Sequence, residues 1–65
     1  MKLTKTKGGY LVTVDFASRE GKSNYATFFW NGSNLKVENI TDLDYLENIY
    51  DDVSQKLSVL KYRMK

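Results

Sequence analysis

The chain has 65 residues, ten of them basic and eight acidic, for a net charge of +2, and it lacks cysteine, histidine and proline. Disulfides and thiolate metal sites are thereby excluded, as are the usual general base and the commonest metal ligand. The charge is too balanced for a nucleic-acid binder driven by electrostatics alone. A chain this short makes one small domain, residues 1–65. Its single core contributes about 3–5 kcal/mol net, so close packing or self-association must supply the remainder.

Taken in chain order, Gly8-Gly9 reads as the lead-in to a strand and not as a phosphate loop. The first predicted strand covers about 9–17, where Tyr10, Val12, Val14 and Phe16 alternate onto one face. Ser18 to Lys22 then forms a polar turn, with Gly21 free to take positive φ. The second strand, about 23–30, is rich in aromatics, and Asn31-Gly32 after it is a strong hairpin signal of the type I′ kind. The third strand spans about 35–40. A two-residue or a four-residue loop at Asn31 gives the same face parity. The buried face is then Val12, Val14, Phe16, Ala26, Phe28, Trp30, Leu35 and Val37. The opposite face carries Leu11, Thr13, Asp15, Tyr25, Thr27, Phe29, Lys36 and Glu38.

A long helix follows, about 42–64, with Thr41 suited to the N-cap, Asp44 to a capping box, and Ile40 and Tyr45 to the flanking staple. Leu43, Leu46, Tyr50, Val53, Leu57, Leu60 and Met64 fall three and four apart and draw one apolar stripe along it. Acids fill its first half and bases its second, which complements the helix dipole. The predicted fold is therefore α+β: a three-stranded antiparallel β-meander followed by one long C-terminal α-helix packed on one sheet face.

The hairpin Gly9-Tyr10-Leu11-Val12-Thr13-Val14 with Gly21-Lys22 resembles the start of the arm-type DNA-binding domains of tyrosine recombinases. That resemblance covers about a third of the chain and implies three strands and a C-terminal helix, with the sheet docked into a groove. No functional residue is carried over from it. The Lys-, Asn- and Tyr-rich composition is also similar to that of small phage and mobile-element proteins.

Four groups of residues are candidates for function. Asp44, Glu47 and Asp51 share a helical face, but helix-surface carboxylates without loop oxygens read as a solvated face, so neither metal nor cofactor is expected. No activated nucleophile or paired acid and base is recognisable, and no enzyme activity is expected. The outward sheet residues Leu11, Tyr25, Thr27, Phe29 and Lys36 combine rigid rings with a cation, as protein-binding surfaces do. Toward the helix end, Val59, Leu60, Tyr62 and Met64 offer a self-association surface. About 23 helical residues span roughly 35 Å, against roughly 23 Å for a seven-residue strand, so the last turns overhang the sheet. The seven-residue repeat of the stripe suits a coiled coil, and the acid-first, base-last order suits an antiparallel homodimer.

The first functional reading is a non-catalytic protein-binding module, a small phage-like regulator or inhibitor of a larger enzyme. The alternative is a DNA- or RNA-binding domain using Lys2, Lys5, Lys7, Arg19, Lys22 and Lys36, since residues 1–41 hold six basic and three acidic side chains. A third is a self-assembling structural subunit. Steep weakening by salt would mark phosphate contacts and count against the first reading. With no apolar run long enough for a membrane span and no signal-peptide pattern, no membrane contact is expected and the cytoplasm fits best. The two glycosylation patterns, Asn31-Gly32-Ser33 and Asn39-Ile40-Thr41, are then coincidental.

Overall fold

Alternating apolar and polar side chains give paired strands in the computed structural model, which describes residues 1–63. The strands are β1 (Lys2–Thr6), β2 (Gly9–Ala17), β3 (Ser23–Trp30) and β4 (Leu35–Ile40). A single 3-10 turn, Leu43–Tyr45, leads into the helix α1 (Leu46–Arg63). The sheet is an antiparallel meander in the order β1-β2-β3-β4. It has four strands where the sequence predicts three. The first two are joined across Lys7-Gly8, so Gly8-Gly9 closes a hairpin and does not merely precede a strand.

Register follows from the pattern of apolar residues, because a slip of one residue would turn a whole strand inside out. Three cross-strand rows make the inner face: Leu3, Val12, Phe28 and Val37; Lys5, Tyr10, Trp30 and Leu35; Val14, Ala26 and Ile40. Every residue expected on the buried face is buried or half-buried there. The last row needs a device. Thr27 pairs with Asn39 while Phe28 pairs with Val37, so Glu38 is an extra residue, a bulge in β4. Without it Asn39 would point inward and Ile40 outward. With it Ile40 joins the core.

The core consists of Val12, Val14, Ala26, Phe28 and Trp30 from the sheet with Val53 and Leu57 from α1; Leu46, Ile49 and Leu60 pack around them. Two phenols fasten the helix to opposite ends of the sheet. Tyr45 packs its ring on Phe16 at 5.6 Å, and its hydroxyl accepts the Arg19 N–H at 2.8 Å. Tyr50 meets Phe28 edge-on at 6.1 Å and donates its hydroxyl to the Leu35 carbonyl at 3.0 Å.

The helix start differs from expectation in two respects. Asp42, not Thr41, is the cap, its carboxylate accepting the Asp44 N–H at 3.1 Å. Thr41 instead extends the sheet: its N–H donates to the Tyr25 carbonyl at 3.1 Å and its hydroxyl oxygen accepts the Tyr25 N–H at 3.0 Å. The side-chain oxygen thus stands where a ladder carbonyl would. Because the first turn is a 3-10 turn, which advances about 120° per residue against 100° in an α-helix, Leu43 leaves the apolar stripe and is 74% exposed.

The turns are also informative. Gly21 takes φ 78° in the loop from Ser18 to Lys22, as that turn requires. The loop at Asn31 has four residues, and Gly32 is at φ 96° while Asn31 is not at positive φ. It is therefore no type I′ turn. The Asn31 side-chain oxygen accepts the Ser33 and Asn34 N–H groups at 2.9 and 2.8 Å, and the Asn31 N–H donates to the Asn34 carbonyl at 3.3 Å, so side chain and backbone close the loop together.

Candidate functional site

With α1 on the inner face, the other face of the sheet is left without a covering element. Its rows run Thr4, Leu11, Phe29 and Lys36, then Lys2, Thr13, Thr27 and Asn39, with Asp15 beside Tyr25. All five residues expected to form a binding face are brought together on this surface. Leu11, Phe29 and Lys36 are one cross-strand row, and Thr27 and Tyr25 stand next to them along β3. Tyr25 is 44% exposed and Lys36 is exposed, whereas Leu11, Thr27 and Phe29 are half-buried.

The partial cover on Phe29 comes from glycine. A Cβ built on Gly9 would lie 3.1 Å from Phe29 Cζ, and one on Gly8 would lie 3.7 Å away. The tip of the ring therefore abuts the bare backbone of the first hairpin, and a side chain at Gly9 would press on it. Lys2, Thr4 and Thr6 of β1 extend the face. They were not legible as site residues because β1 was not legible as a strand, although the Gly-Gly pair was a usable hairpin signal.

The six cations of the nucleic-acid alternative do not converge. Lys2 and Lys36 lie on the outer face at opposite edges of the sheet, while Lys5 belongs to an inner row, 6.0 Å from the Tyr10 ring centre. Lys7 is in the first turn, and Arg19 and Lys22 are in the loop between β2 and β3, where Lys22 pairs with Glu20 at 3.3 Å. A phosphate backbone would meet them only a few at a time.

On the helix, Val59 is exposed at 54%, Tyr62 is exposed, and Leu60 is half-buried because it packs against the core. Met64 lies outside the described residues. Asp44, Glu47 and Asp51 are exposed, and among the described residues no group of three possible ligands is placed to hold a metal ion. No helix among the described residues is long and apolar enough to cross a membrane.

Comparison with known proteins finds no family model, no curated protein and no solved structure that matches this chain. The outer face is chemically a mixed surface of two rings, an aliphatic side chain, threonine hydroxyls and flanking lysines. It can bury apolar area and donate hydrogen bonds, and Asp15 beside Tyr25 adds one exposed carboxylate.

Proposed function

We propose that this protein is a non-catalytic protein-binding module that docks a larger partner on its outer sheet face, as a small regulator or inhibitor of an enzyme would. The carrying observation is the uncovered row Leu11, Phe29 and Lys36 with Tyr25 beside it. Aromatic side chains are enriched at protein interfaces, and tyrosine is among the residues that most often dominate their binding energy. The dispersal of Lys5, Lys7, Arg19 and Lys22 to other parts of the molecule favours this reading over a nucleic-acid target, which calls for a continuous positive field.

The test is affinity capture from lysate of the protein's own cells, run with wild type and a Tyr25→Ser, Lys36→Glu variant, each with and without nuclease. Both positions are exposed, so the variant keeps its fold, checked by far-UV circular dichroism. A discrete protein band that survives nuclease and falls at least tenfold with the variant is the expected result; that loss is about 1.4 kcal/mol of binding free energy. Recovery of nucleic acid that is lost on nuclease treatment, with no such band, sinks the proposal and moves the reading to DNA or RNA.

A further inference from the structure

The loop between β3 and β4, Asn31-Gly32-Ser33-Asn34, carries an arrangement of groups that the sheet face does not use. The Asn31 side-chain oxygen Oδ1 accepts two backbone N–H groups, from Ser33 at 2.9 Å and from Asn34 at 2.8 Å. The other end of that carboxamide, Nδ2, has no hydrogen-bond partner among the described residues, and neither has the Gly32 N–H. Asn31 is exposed, and the space where a Cβ of Gly32 would stand is open.

These are the parts of an intramolecular displacement. A backbone nitrogen that loses its proton to hydroxide can attack the side-chain carbonyl carbon of the preceding asparagine and close a five-membered ring. Negative charge then develops on Oδ1, the atom that the two N–H groups already address, as donors of an oxyanion hole do. Nδ2 is the leaving group, and no hydrogen bond has to break to release it. Glycine leaves the attacking nitrogen unshielded. The chain's other asparagines, Asn24, Asn34, Asn39 and Asn48, each precede a bulky residue: Tyr25, Leu35, Ile40 and Ile49.

We propose that Asn31 is a site of spontaneous modification, at which the folded loop itself promotes conversion to aspartate and isoaspartate. Hydroxide takes the Gly32 N–H proton, the nitrogen bonds to Asn31 Cγ, and the Cγ–Nδ2 bond breaks. The departing amide nitrogen takes a proton from water and leaves as ammonia, which returns the hydroxide, and a succinimide remains. Water then opens the ring at either carbonyl, with no change of oxidation state. Opening at Cγ gives aspartate, which keeps the acceptor and adds a charge that strengthens both hydrogen bonds. Opening at the other carbonyl gives isoaspartate. Oδ1 then belongs to the main chain, and the loop joining Trp30 to Leu35 is longer by a methylene, which loosens the hairpin.

The test holds the full chain in mildly alkaline buffer at body temperature, with a parallel sample unfolded in urea, and follows each asparagine by peptide mass mapping. Isoaspartate is scored by its specific methylation with an isoaspartyl methyltransferase. Conversion is expected at Asn31 ahead of the other asparagines, and at least about threefold faster in buffer than in urea, the scale of a modest hydrogen-bond contribution at an exposed site. A Ser33→Pro variant keeps Asn31-Gly32 and removes one of the two donors, so its rate in buffer should fall toward the rate in urea. Conversion in buffer that is no faster than in urea overturns the proposal, and means that the loop shields Asn31. So does a Ser33→Pro variant that is folded by circular dichroism yet converts as fast as wild type.

Discussion

At Gly9 the backbone of β2 runs so close to the end of β3 that a Cβ would overlap the Trp30 carbonyl oxygen and lie 2.9 Å from Asn31 Cα. Backbone cannot move aside as a flexible side chain can. Gly9→Ala is therefore expected to cost about 1–3 kcal/mol, as overpacking does elsewhere, and to lower the urea midpoint clearly. Gly8→Ala is the control: its Cβ would make an ordinary contact, 3.7 Å from Phe29 Cζ, and the midpoint should scarcely change. A similar loss in both would mean that the strain is not where the geometry puts it. Such roles differ in how far the sequence reveals them. Gly21 was legible, because a short turn demands positive φ locally. The close approach at Gly9 was not, because it depends on a carbonyl 21 residues away. Thr41 shows the same limit, since threonine between a strand and a helix reads as a cap until the Tyr25 backbone is placed beside it.

Among the elements, β4 makes the sharpest prediction. Its bulge residue, Glu38, has no partner on β3, and the pairs on either side of it are already consecutive there. Deleting Glu38 should convert a bulged strand into a regular one, with Val37 and Ile40 still inward and Asn39 still outward. The expected change in stability is about 1 kcal/mol or less. Deleting Lys36 instead should throw Leu35 onto the wrong face and break the cooperative unfolding transition. Thermal melts of the two deletions decide the matter, and equal damage from both would show that the bulge is not separable from the strand. Alternation along β2 and β3 exposed those strands and their faces in the sequence. β4 was legible as a strand but its parity switch was not, because Glu38 and Asn39 are both polar and either could face out. β1 was missed for a related reason: of its five residues only Leu3 is apolar, and inward Lys5 breaks the period. An edge strand needs little burial, so it leaves little trace. The helix was legible throughout, except that its first turn winds as a 3-10 turn and releases Leu43.

At the scale of the whole molecule, the five residues proposed as a binding face were legible because one strand parity places them together, whereas the open groove that Val37, Leu43, Leu46 and Tyr50 line at the helix start was not. That groove exists only because Leu43 leaves the stripe and β4 ends alongside, facts of three-dimensional placement. The sheet order has a kinetic consequence. Every strand pairs with its neighbour in sequence, across loops of two, five and four residues. Contacts of such short span close rapidly, and a chain without proline has no slow isomerising fraction. Refolding followed by Trp30 fluorescence in a stopped-flow instrument should fit one exponential; a second, slower phase at low protein concentration would contradict this. Speed also matters for what β3 contains. Tyr25 to Trp30 is an uncharged, aromatic, proline-free run, the kind of segment that templates aggregates when it is bare. In the meander it is central, and β2 on one side and β4 on the other close over it from adjacent sequence. On the ribosome, where about 5–20 residues are added per second, its exposure ends once β4 (Leu35–Ile40) has emerged, since hairpin closure itself takes about 1–10 μs.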